Sequence, residues 1–322
     1  MPWLKDTVVA YINCDVAASG PVLMAAASPL LNQAVYKIAE LVQSPNQTKD
    51  GQTVGDVWDG KIDPLGSGSD FTAFLDHAGI ASVDLGFGRA TSVYHYHSNY
   101  DSFHWMSQYG DVGFKYHVTI AKLLSLLTAQ LSESPILSLN TTDYATALSS
   151  YLSAAKNHSA ISISTSTSTS TLHSLFSLSD NVFLPIESSI STLLSATVTF
   201  EQQSTRIADS IKNLNHKPRW NPLHKSHHHH HHHHHHYLYH QARAINRKYR
   251  LFEQQFLYAK GLDGRSWFKH TVFAPGKWTG YSGATFPGLI EALDEGDEEA
   301  LGRWAGIVRE RIDAATELLL ST

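Results

Sequence analysis

Residues 94–105 read Y-H-Y-H-S-N-Y-D-S-F-H-W and set His95, His97 and His104 among aromatic side chains and one carboxylate, Asp101. The run just before it, residues 80–87 (I-A-S-V-D-L-G-F), is short and apolar and is followed by glycine. That is the pattern of a buried strand. A loop after such a strand is where open α/β sheets bind ligands, beyond the carboxyl ends of their strands. A neutral imidazole there can ligate a metal or carry a proton. The plainer alternative is a set of partly buried loop histidines satisfied by backbone.

Working outward, residues 7–13 (T-V-V-A-Y-I-N) are β-branched and aromatic, and predict a strand buried on both faces. Asp15 stands just past its carboxyl end, where a lone acid is usually a turn or cap residue. Ser28-Pro29 predicts a helix start with a hydroxyl cap and proline in the first turn. Its stripe of Leu30, Leu31, Ala34, Val35, Ile38, Leu41 and Val42 packs on the sheet. Residues 44–60 read as loop with a short turn near 54–58. Residues 65–70 (L-G-S-G-S-D) form a glycine turn feeding a short helix that stops at Gly79. A helix over 113–131 closes this unit and carries Lys115, His117 and Lys122, so it is not a membrane span. Pro135 marks its end.

Beyond residue 140 the pattern is helical. A short helix is expected over 143–155, then a flexible Ser/Thr loop over 164–171, carrying O-glycans if the chain is secreted. Ile186, Ile190, Leu193, Thr197, Phe200, Ile207, Ile211 and Leu214 keep a helical stripe through a long element. Histidines fill 227–236, a run able to chelate zinc or nickel in a disordered loop but without fixed geometry, and so read as an expansion of no defined function. A helix over 237–260, stopped by Gly261, precedes an aromatic loop over 267–287. The last helix spans 297–320, with three acids in its first turn and Leu301, Trp304, Val308, Ile312, Ala315 and Leu319 at helical spacing.

The chain has 322 residues, 42% hydrophobic and 16% charged, with 7 Trp, 13 Phe and 14 Tyr, which is globular material for one large domain or two. A net charge of −5 without a Lys/Arg cluster gives no nucleic-acid footprint. Cys14 is the sole cysteine, so no intrachain disulfide forms. Sequons at Asn46, Asn140 and Asn157 lean toward a lumenal or extracellular setting.

Four blocks carry a resemblance. Y-H-S-N-Y-D (96–101), V-A-Y-I-N-C-D (9–15), L-G-S-G-S-D-F (65–71) and Y-S-G-A-T-F-P-G (281–288) resemble, in order and spacing, the glutamate carboxypeptidase and transferrin receptor family. The resemblance implies an α/β class fold. A partial aminopeptidase-like mixed sheet flanked by helices (1–135) would precede an all-α helical-bundle dimerisation domain (136–322). It further implies two zinc ions, one ligated by Asp15 and the other by His97; Asp101 is then a candidate to orient the His97 ring, since a metal-bound imidazole usually needs such an acceptor. Tyr96 would stabilise an oxyanion, Gly68 and Ser69 would contact the scissile peptide, and Tyr281 would reach a terminal-residue pocket. The family's remaining zinc ligands and glutamate general base lie upstream of the 9–15 block, so this chain is expected to be inactive alone. An arginine pair is missing at 83–86, where only Arg89 follows, and Gly280 stands where the family has lysine; a taste for acidic dipeptides is therefore not expected. The partners implied are a second copy of the chain and a peptide substrate. Membrane attachment would come only through an anchor outside this chain, in a secretory, vacuolar or cell-surface parent. The alternative is a non-catalytic, receptor-like dimerisation module; a histidine-rich metal store rests on the 227–236 run alone.

Overall fold

The structure, a computed structural model, describes residues 2–88, 95–165, 169–215, 228–278 and 280–321. The chain opens on helix α1 (Pro2–Thr7), whose last hydroxyl donates to the Trp3 carbonyl at 2.7 Å, and strand β1 is only Tyr11–Asn13. Of the strand expected over 7–13 only residues 11–13 form: Thr7 ends the helix, and residues 8–10 are neither helix nor strand. Nor is it buried on both faces, because Tyr11 and Ile12 are half-exposed.

β2 (Val22–Ala27) follows, then a 3-10 turn at Pro29–Leu31 leading into α2 (Asn32–Ala39). Ser28 does not cap that turn; its hydroxyl is bonded instead to the buried Glu253 carboxylate, 225 residues away. α3 (Val54–Val57) carries a reciprocal capping box between Thr53 and Asp56, and β3 (Ile62–Asp63) ends the loop. A wide π-type turn at Ala73–His77 leads through Gly79 into β4 (Ser82–Gly88). The sheet order is β1-β4-β2-β3, with β4 parallel to β1 and antiparallel to β2, and β3 parallel to β2. The sheet is therefore mixed.

Alternation assigns its faces. Leu23, Ala25 and Ala27 of β2 lie in register with Phe87, Leu85 and Val83 of β4, and all six are buried. After α4 (Phe103–Trp105), the helix α5 (Lys115–Glu133) packs on β4 and on α2, covering that side. The other side, with Met24, Ala26, Asp84 and Gly86, stays open. This open side positions the candidate site.

The remaining chain is mostly helix: α6 (Thr141–Thr165), α7 (Thr169–Asn215) and α8 (His228–Phe252). α6 runs well past the expected 143–155. The Ser/Thr tract, expected as a loop, is helical at both described ends, Thr165 and Thr169; residues 166–168 lie outside the described residues. The histidine run, also expected as loop, is helical from His228. The aromatic segment holds a two-stranded hairpin, β5 (Phe273–Pro275) and β6 (Gly283–Thr285), before α9 (Pro287–Glu295) and α10 (Glu298–Leu320). The Asp297 side chain caps α10 by accepting from the Ala300 amide at 2.9 Å.

Sheet and helices share one hydrophobic core. Polar ties also cross between them: Asn246 bonds the Leu137 amide and the Pro135 carbonyl, each at 2.9 Å, and Gln254 donates to the Lys5 carbonyl at 2.7 Å. The strongest node is Glu253, 1% exposed, which accepts from Ser28, from Tyr144 at 2.7 Å and from His270 at 3.0 Å. His270 Nδ1 accepts two amide protons, from Val272 and Phe273, so its Nε2 carries the hydrogen given to Glu253.

Candidate functional site

A crevice of about 480 Å³ opens on the uncovered side of the sheet, lined by Asp15, Gly68, Ser69, Asp84, Tyr96 and Tyr281. These residues come from five separate stretches of chain. β1 and β4 run parallel, with Asn13 beside Asp84, so β1 ends at the crevice and β4 borders it through Asp84, its third residue.

Asn13 is the organising donor. Its amide donates to Asp84 Oδ1 and to the Ser69 hydroxyl, both at 2.9 Å, and the Asp15 backbone amide adds a second bond to Asp84 Oδ1 at 3.0 Å. Burial pushes the Asp84 carboxyl above the usual carboxylate range, while the bonds from Asp15 and Asn13 pull it back. Asp15 itself is exposed, its side chain at the rim.

The turn at 65–70 lies against the hairpin. The Ser67 amide donates to the Tyr281 carbonyl at 3.0 Å, and a Cβ built on Gly66 would stand 2.1 Å from that same oxygen. Gly68 has φ +100°, and a Cβ there would meet the Tyr281 ring at 2.7 Å. Both glycines are thus needed for close approach, one to backbone and one to a ring. Ser69 holds Asn13 with its hydroxyl and caps the following turn through its carbonyl, which Thr72 Oγ1 reaches at 2.7 Å.

Tyr96 lines the crevice and stacks on the His97 ring, centroids 3.7 Å apart. His97 is exposed, at φ +57°, and is not part of the crevice lining. No hydrogen bond joins its ring to Asp101 among the described residues. His95 meets Trp105 edge-on at 4.9 Å. Arg89 and Tyr94 lie outside the described residues.

Two zinc ions need about three protein ligands apiece. Among the described residues no three His, Cys, Asp or Glu side chains gather in a group able to hold a metal ion. Asp15 and His97 contribute one donor each; Asp63 and Asp84 share the crevice with Asp15, and Asp84 Oδ1 already accepts from Asn13 and the Asp15 amide. The residues present do not fit a co-catalytic zinc pair.

Sequence reasoning did not single out Asp84, Asn13 or Gly66. The signal for Asp84 was available, since it is an acid between Val83 and Leu85 in an otherwise apolar strand.

A mixed sheet with a ligand-sized crevice at its strand ends, joined to a helical bundle, defines the class. Residues 185–320 match the transferrin receptor-like dimerisation domain. The chain is 35% identical over 304 residues to a probable glutamate carboxypeptidase of Arthroderma benhamiae, covering 92% of this chain and 36% of that protein. It is 29% identical to the probable glutamate carboxypeptidase LAMP1 of Arabidopsis thaliana (90% and 36% covered), and 26% identical to aminopeptidase NAALADL1 of Mus musculus (98% and 40%). The chain belongs to the glutamate carboxypeptidase and transferrin receptor-like family, and spans between 36% and 40% of the length of these relatives, in their carboxyl-terminal part.

Proposed function

We propose that this chain is the substrate-pocket and dimer-forming portion of a glutamate carboxypeptidase-like exopeptidase, which removes terminal residues from peptides. The observation that carries this reading is the crevice, where Asp15, Ser69, Tyr96 and Tyr281, drawn from four distant blocks, face one volume. In this reading the Tyr96 phenol donates to a peptide carbonyl oxygen, the Gly68-Ser69 backbone lies along the peptide, and Tyr281 closes over its terminal residue. Residues 1–135 form most of the pocket, and residues 136–322 add Tyr281 to it and pair two chains into a homodimer. Zinc belongs to the reaction of the family, and Asp15 and His97 would supply two of its ligands; with the donor set of this chain alone no zinc pair assembles, so the chain alone does not cleave. A secretory or vacuolar setting is supported by the sequon at exposed Asn46. The Asn140 side chain is engaged instead, accepting from the Asp143 amide at 2.8 Å.

The test is a peptidase assay on the purified chain with added Zn(II), using N-acylated dipeptides, beside equilibrium binding of the same dipeptides. Binding without hydrolysis, weakened about tenfold by Tyr281→Ala, is the expected result. Hydrolysis by a variant lacking 227–236 would overturn the inactive reading. A second reading, a non-catalytic dimerisation module, is favoured by the match over 185–320. It predicts a dimer that binds no dipeptide.

A further inference from the structure

We propose that the first half of α8 is a transition-metal site of its own, a two-imidazole chelate built by His236 and His240. The proposal is independent of the peptidase reading. Residues four apart on a helix share a face, and here the two rings lie with centroids 4.5 Å apart, tilted by 58°. Both residues are exposed, whereas Leu238, Ala242 and Ile245 of the same helix are buried in the core. The helix is therefore anchored on one side and presents the imidazole pair on another.

That anchoring supplies what a histidine run lacks, a fixed spacing between donors. Donor type selects the ion. α8 contains no Asp or Glu and ends in Arg243, Arg247, Lys248 and Arg250. Calcium and magnesium require oxygen ligands, so the site takes a borderline divalent ion with an affinity for imidazole nitrogen, Zn(II), Ni(II) or Cu(II). His240 is the discriminating residue. Tyr237, Leu238 and Tyr239 separate it from the continuous run, so a loop-like chelator has no use for it.

The experiment is calorimetric titration of the full chain with Zn(II), for the wild type, His240→Gln and the His236→Gln/His240→Gln pair. Circular dichroism checks that the exposed substitutions leave the fold intact. Amide hydrogen exchange over residues 236–245 is followed with and without the ion. The strongest Zn(II) site weakens about tenfold in His240→Gln, because the second donor of a chelate acts at high effective concentration. Zn(II) slows exchange in this segment of the wild type and not of the double variant. Equal Zn(II) affinity in wild type and His240→Gln would overturn the proposal and assign the metal to the run alone. Unaltered exchange on adding Zn(II) would overturn it as well.

Discussion

At Gly66 and Gly68 the missing side chains explain the geometry of the crevice. Gly66→Ala would set a methyl group against the Tyr281 carbonyl and the Gly283 amide, both backbone. Neither can step aside as a side chain would, so the hairpin must move off the 65–70 turn. The expected cost is about 1–3 kcal/mol, read as a lower denaturant midpoint; an unchanged midpoint would contradict the tight contact. Asp76 gives a second prediction. Its side chain is fully buried, neither carboxyl oxygen has a hydrogen-bond partner among the described residues, and burial pushes its pKa up to about 9, with Arg265 pulling it down and Glu253 pushing it further up. The folded chain therefore keeps a proton that the unfolded chain releases near the ordinary value of 3.8. Between those two values the native state binds more protons, so stability falls as pH rises toward 9. Asp76→Asn, which cannot ionise, removes this slope. Melting curves from pH 5 to pH 9 should show the variant more stable at pH 8 by on the order of several degrees, and closer to wild type at pH 5. A variant destabilised equally at both ends would mean that Asp76 is ionised and paired with Arg265.

The elements meet at Glu253, which ties the Ser28 turn, α6 through Tyr144 and the hairpin approach through His270. Burial first, and the neighbouring Glu253 carboxylate second, hold the Tyr144 hydroxyl protonated and donating. Glu253→Ala leaves these buried donors unpaired and should cost about 3–5 kcal/mol, measured by urea unfolding; a loss below about 1 kcal/mol would show that the node is dispensable. None of this was legible from local pattern, because Ser28-Pro29 looks like a helix cap and Glu253 lies 225 residues away. What local pattern does reveal is periodicity and termini. α10 follows its apolar spacing from a true Asp297 cap, and the F-P-G of the 281–288 block is read out as Pro287 in the first turn of α9, with Gly288 packed where a Cβ would stand 2.3 Å from the Trp304 ring. β5 and β6 escaped notice because three-residue strands containing Pro and Gly carry no alternation. The histidine helix escaped because a run of one residue has no period. Of the candidate site, Asp15, Gly68, Ser69, Tyr96 and Tyr281 were reached through shared motifs. Asp84 and Gly66 needed the parallel register of β1 with β4 and the contact with Tyr281 to acquire meaning.

On the scale of the whole chain, α7 is the element whose surface is least accounted for. Phe183, Ile186, Ile190, Leu193 and Phe200 are buried, and the helix packs on α6, α8 and α10, Phe200 meeting Tyr249 of α8. Residues 182–214 form the one described helix stretch long and apolar enough to cross a membrane, yet only 39% of its most apolar window is buried within the chain. Outward apolar residues remain, Leu184 and Val198 among them, at 57% and 43% exposure. Most of this helix falls within 185–320, the segment matching a dimerisation domain. A second copy covering that face accounts for its composition while leaving the core-facing stripe in place. The chain should then sediment at twice its 35.6 kDa mass at micromolar concentration. Its thermal midpoint should rise with chain concentration, because association stabilises the native state and not the unfolded one. Val198→Glu places a charge on the outward face and should shift the equilibrium toward monomer by tenfold or more, on the order of 1.4 kcal/mol, while circular dichroism of the monomer stays unchanged. A chain that sediments as monomer at every concentration, with a midpoint independent of dilution, would rule out this face as a dimer interface.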